Sequence, residues 1–185
     1  MLRRNLLLLT VASALSVGIW GCGRTETPSA PAEDADQSQS AALVRERDAL
    51  LARKDSFTAV SAKWALDETV KSSCKGYYEG DVLRLIEEEM TMGEFGSATS
   101  VYFYTDKGAL FAYTENKESQ RGARSGNAVK EKVELQLLFA PNGTLVGGER
   151  KVDGTVSELT GVEAQGATMH ARELESVLQE KRSGA

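Results

Sequence analysis

Two aromatic and β-branched runs, Ser97 to Thr105 and Ala109 to Glu115, flank Asp106-Lys107-Gly108, and no other stretch constrains the fold as much. Two strand-forming runs joined by a short glycine-containing turn read as a β-hairpin. Apolar residues occur at both parities here, Val101 and Phe103 against Tyr102 and Tyr104. Successive strand residues point to opposite faces, so a strand that is apolar on both must be covered on both. The hairpin is expected at the centre of a sheet, with the tyrosine hydroxyls reaching an edge.

The same period of two recurs at Val133, Leu135, Leu137 and Phe139, alternating with Glu134 and Gln136, which predicts a strand with one wet face. Pro141-Asn142-Gly143 turns the chain into a return strand from Thr144 to about Val152, where Gly147-Gly148 marks a bulge or a close backbone approach. Asp153-Gly154 ends that strand, and residues 167–182 resume helical spacing through Met169, Leu174, Val177 and Leu178. Upstream, Leu43, Leu50, Phe57 and Trp64 recur every seven residues, widened by Leu51, Val60 and Ala65, which predicts helix with a break at Asp55-Ser56 and a docked part from Phe57 to Ser73. Residues 82–92 fit a helix face through Val82, Ile86 and Met90, or a strand through Leu83 and Leu85. The β-character of the adjoining run from Ser97 favours strand. Asn116 to Asn127 lacks periodicity and reads as an exposed loop. The expected architecture is α+β: an N-terminal helix, an antiparallel meander of about four strands and a C-terminal helix, forming a single domain over residues 43–185.

Residues 23–42 contain no large apolar residue and read as a disordered tether with a reach of roughly 25 Å. Before them, Arg3 and Arg4 precede an apolar run from Leu6 to Trp20, closed by Gly21-Cys22. At about 1.5 Å per residue this run is roughly 22 Å of helix, short of the ~30 Å hydrocarbon core, and it reads as a secretory signal rather than a span. Ile19-Trp20-Gly21-Cys22 resembles the lipobox of bacterial lipoproteins. The resemblance implies a signal peptide over residues 1–21, a diacylglyceryl group on the Cys22 thiol, and a bilayer anchor at the new N-terminus. Gly23, in place of the aspartate that retains many enteric lipoproteins at the inner membrane, implies outer-membrane attachment facing the periplasm. The chain has two cysteines, so lipidation of Cys22 leaves Cys74 without an internal partner. It is then either buried and inert or paired with another chain.

The chain carries a net charge of −5, and removal of Arg3 and Arg4 with the signal takes it to −7. That balance argues against a nucleic-acid partner, which needs a concentrated basic face. His170 is the only histidine, which excludes a histidine cluster for metal, and on a terminal helix it reads as a surface residue. Lys71 and Lys75 flank Cys74 and are positioned to lower its pKa. Glu87-Glu88-Glu89 reads as a solvated sheet edge and lacks the spacing of a calcium loop. No catalytic residue, metal site or cofactor is expected. Candidate ligand contacts are Tyr102, Tyr104 and Tyr113 on the hairpin, Lys107 in its turn, and Arg121 and Arg124 in the basic loop.

Three functions are expected, in descending order. The first is a non-enzymatic envelope lipoprotein that binds a protein, peptide or cell-wall ligand. The second is an enzyme-inhibitor lipoprotein, because Ser100 to Gly108 resembles the Tyr-x-x-x-Thr-Lys-Gly signature of membrane-bound lysozyme inhibitors with Asp106 inserted. The third is a small hydrolase using Cys74, His170 or the glutamates.

Overall fold

The computed structural model describes residues 32–121 and 129–184. Helix α1 spans Ala32–Ala52 and helix α2 spans Gly161–Ser183. Between them lie strands β1 Thr58–Ala65, β2 Val70–Glu79, β3 Val82–Met92, β4 Gly96–Tyr104, β5 Leu110–Arg121, β6 Val129–Phe139, β7 Leu145–Val152 and β8 Thr155–Ser157. Each strand pairs antiparallel with its neighbours in sequence, so the sheet is one meander in the order β1 to β8. Side chains close the turns locally. Asp67 Oδ1 accepts from the Thr69 and Val70 amides at 2.6 and 2.7 Å, Thr105 Oγ1 accepts from the Ala109 amide at 3.1 Å, and Asn142 Oδ1 accepts from the Thr144 amide at 3.0 Å. Connections this short allow hairpins and no crossovers.

The central hairpin occupies β4 and β5, and its two faces carry two separate cores. On one, Phe103, Ala112, Leu85, Tyr77 and Leu138 pack with Leu50 of α1, joined by Leu43, Val44 and Phe57. On the other, Tyr102, Tyr104, Tyr113, Leu137 and Phe139 pack with Ala167, Ala171, Leu174 and Leu178 of α2. The result is a helix, sheet, helix sandwich. Glycines mark where each helix lands. A Cβ at Gly76 would stand 2.8 Å from Leu178 Cδ1 of α2, and one at Gly147 would stand 2.7 Å from Ser40 Oγ of α1. The close approach expected at Gly147-Gly148 is at Gly147 the seat of α1, where Ser40 Oγ also donates to the Val146 carbonyl at 3.3 Å, and at Gly148 a contact with the Gln136 carbonyl of β6. Thr160 caps α2, donating through its amide and hydroxyl to the Glu163 carboxylate at 2.8 and 2.9 Å. At the other end Arg182 reaches Asp81 Oδ1 at 2.5 Å and tethers the helix to the β2–β3 turn.

The sheet has eight strands where about four were expected, and the largest difference lies in residues 57–73. These form β1 and the start of β2 instead of a docked helix. The seven-residue spacing is helical only through Leu43 and Leu50. Helix α1 ends at Ala52, Phe57 reaches the same core from the linker, and Trp64 packs on the opposite face. A period of two lies beneath the period of seven, since Val60, Ala62 and Trp64 alternate with Ser61 and Lys63, and pairing with β2 selects it. Residues 82–92 form strand β3, β5 runs on through 116–121 into the expected loop, and β8 follows Asp153-Gly154. Helix α1 begins at Ala32, inside the segment expected as tether, and Ser40 of that segment sits on Gly147.

Leu174 is fully buried between α2 and the sheet, whereas Leu66 is 73% exposed in the β1–β2 turn. Leu174→Ala is expected to lower unfolding free energy by about 2–5 kcal/mol in urea denaturation, and Leu66→Ala by less than about 0.5 kcal/mol.

Candidate functional site

Strand register arranges the α2 face in lateral rows. One row is apolar: Val60, Gly76, Ile86, Tyr102, Tyr113 and Leu137. The next runs Ala62, Cys74, Glu88, Ser100, Glu115, Leu135 and Arg150, placing two carboxylates, a hydroxyl and a guanidinium across the middle of a buried face. Helix α2 lowers His170 into this polar row.

Glu88 is the most demanding group in it, with only 1% of its side chain exposed. A buried carboxylate is tolerated when its oxygens are saturated with donors. Ser72 Oγ donates to Oε1 at 2.5 Å, and His170 Nε2 lies 3.0 and 2.9 Å from Oε1 and Oε2. The Tyr102 hydroxyl completes the shell at 3.4 Å. On its other side, His170 Nδ1 meets Glu173 Oε2 at 3.2 Å. The ring leans against Trp64, with centroids 5.4 Å apart. An imidazole with a carboxylate on each nitrogen satisfies both only as the cation. Burial pulls the His170 pKa down, but hydrogen bonds and charge from Glu88 and Glu173 outweigh it, and the net shift is upward.

The neighbouring groups are tuned by burial in the opposite sense. Burial first, then the Glu88 charge, pushes the Cys74 thiol up to about 11. Lys71 and Lys75 do not lower it, because β2 directs them to the face away from Cys74. Cys74 is free and buried, the first of the two alternatives open to it. Desolvation also raises Tyr102 and Tyr113, so both phenols are neutral. Tyr104 is enclosed, and its hydroxyl faces the Glu175 carboxyl without closing a well-formed hydrogen bond. Burial in turn raises Glu175.

The residues predicted as ligand contacts do not form one site. Tyr102, Tyr104 and Tyr113 share the α2 face, but all three lie beneath the helix instead of lining an open groove. Tyr102 and Tyr113 do border a small cleft beside α2. Lys107 is exposed in the β4–β5 turn, and Arg121 ends β5. Twelve residues of strand separate these two by roughly 40 Å at about 3.4 Å per residue. Cys22 and Arg124 lie outside the described residues.

His170 and Glu88 are the residues the sequence reading misplaced. His170 is a docked group, and Glu88 is buried in the third of eight strands, not solvated at an edge. Glu87 points to the α1 face, where Lys54 Nζ and the Tyr77 hydroxyl both donate to it at 2.6 Å. Only Glu89 of the three is exposed as expected. The available signal for Glu88 was the alternation of the triplet itself, which obliges one face of a covered strand to take the middle carboxylate.

Among the described residues no three His, Cys, Asp or Glu side chains are grouped to hold a metal ion, and no helix is long and apolar enough to cross a membrane. No protein-family model, curated protein or solved structure matches the chain.

The folded His170 pKa lies above its ordinary value of 6.5, so the pair's contribution to stability is complete below that pH. It is lost as pH rises through the folded pKa. The urea midpoint of the wild-type protein is expected to fall as the pH is raised above about 6.5. In His170→Gln this slope should be absent; an unchanged slope would assign it elsewhere.

Proposed function

We propose that this chain is a bacterial lipoprotein, acylated at Cys22 and held at the envelope membrane, whose α+β domain binds a ligand without transforming it. The observation that carries the anchoring is the order Arg3-Arg4, apolar run, Ile19-Trp20-Gly21-Cys22. Cleavage before Cys22 gives an acylated N-terminus, and several acyl chains on one residue anchor stably where a single chain binds only reversibly. Gly23 favours the outer membrane, with the domain facing the periplasm.

Support for binding rather than catalysis comes from how the domain's reactive groups are engaged. The thiol of Cys74 is protonated and buried, and the His170 imidazolium has no free lone pair with which to accept a proton while Glu88 and Glu173 hold it. The candidate partners are an envelope protein, a peptide or a cell-wall component.

Metabolic labelling with a radioactive fatty acid tests the anchor. The wild-type protein should be labelled and recovered with membranes, and Cys22→Ser should lose both properties. Label retained in Cys22→Ser overturns the assignment. Partner capture with the anchored protein tests the binding role, and co-purification of a lysozyme would place the domain among enzyme inhibitors instead.

A further inference from the structure

A cleft of about 230 Å³ opens beside the N-terminal half of α2, walled by Tyr102, Tyr113, Glu115, Leu135, Gly166 and His170. The carboxylates around it outnumber the cations, and all but Glu115 lie within ion-pair distance of one. His170 is held by Glu88 and Glu173, and Arg150 Nε lies 2.7 Å from Glu163. Among the described residues no cation reaches ion-pair distance of Glu115. Lys117, two residues along the same face of β5, and the Tyr113 hydroxyl act on it, but burial outweighs them and its pKa is raised. A half-buried carboxylate short of donors is therefore exposed to the cleft beside two phenol rings whose centroids are 4.8 Å apart.

Gly166 is a second, independent observation. It lies inside α2, where glycine weakens the helix relative to alanine, yet a Cβ built there meets nothing within 4 Å. No neighbour requires the glycine. At Gly166 the helix presents no side chain to the cleft it borders.

We propose that this cleft binds a small organic ammonium ion, which donates to the Glu115 carboxylate while its carbon body lies between the accessible edge of Tyr113 and the bare flank of α2 at Gly166. The proposal rests on the domain being a binding module and supplies the class of its ligand. The cleft is smaller than the ~300–1,000 Å³ pockets that enclose drug-sized molecules, so the occupant has few heavy atoms. One free carboxylate falls short of the six to eight oxygens that calcium takes, and the aromatic wall favours a carbon skeleton. An anion finds no unpaired cation in the cleft's lining.

Three probes of similar size separate the charge classes: propylammonium, 1-propanol and propionate, each titrated into the mature acylated protein in detergent micelles and followed by amide NMR. Propylammonium alone is expected to give saturable shifts at Tyr113, Gly166 and His170. Glu115→Gln should weaken it at least tenfold with an unchanged melting temperature. Gly166→Leu should abolish binding while the melting temperature holds or rises, which separates a blocked mouth from a damaged fold. The proposal is overturned if propylammonium does not saturate, if Glu115→Gln leaves its affinity unchanged, or if propionate or propanol binds as well. Fatty-acid labelling and partner capture are read separately, so such a result removes the ligand class without removing the anchored binding module.

Discussion

The central hairpin sets the terms for everything packed around it. Phe103 and Tyr102 are adjacent in sequence and point in opposite directions, and both are almost fully buried. A sheet with such a strand pair at its middle cannot leave either face to water, because each exposed aromatic ring would forfeit about 1.5–3 kcal/mol of burial. Two helices are the smallest solution, and the chain places one before the meander and one after it. Gly76 and Gly147 then let the helices approach closely, and the register of the strands follows from which residues must lie beneath each helix.

Within that apolar requirement the α2 face carries a polar row. The Glu88 and His170 pair joins residues 82 apart in sequence and couples the third strand to the last helix. An ion pair of this kind adds little net stability against an apolar substitute, since desolvation consumes most of the Coulomb gain. Its consequence is geometric. Presenting His170 to Glu88 with Trp64 on its flank restricts the rotation and axial position of α2, which carries Glu173 with it to the second nitrogen. The same placement leaves Glu115 beside the helix without a cation, which is why the cleft and the docking pair belong to one interface.

Much of the fold was legible because its signals are local. The apolar residues at both parities placed β4 and β5 in the interior, and Asp106-Lys107-Gly108 and Pro141-Asn142-Gly143 marked the β4–β5 and β6–β7 turns through side-chain and backbone preferences that act over three or four residues. Helix α2 showed its spacing and its basic last turn. Residues 57–73 were not legible in the same way, since Val60 and Trp64 satisfy a helical stripe and a strand alternation together. Which period prevails depends on whether a partner strand is present, and that partner, β2, has too little alternation of its own to announce itself. The candidate site was less legible still: a solitary histidine and a run of three glutamates carry no information about each other until β3 and α2 are superposed.

The sequence alone determined the two-sided central hairpin, its turns and the terminal helix, because side-chain direction and turn chemistry are properties of a few consecutive residues. The tertiary structure decided that residues 57–73 are strands, that Glu88 is the buried member of its triplet, that Cys74 is enclosed away from Lys71 and Lys75, and that Glu115 faces a cleft. Each of these is a question of burial and partnership. In a meander of eight strands they are answered only when rows of residues drawn from every strand align under a helix that the chain makes last.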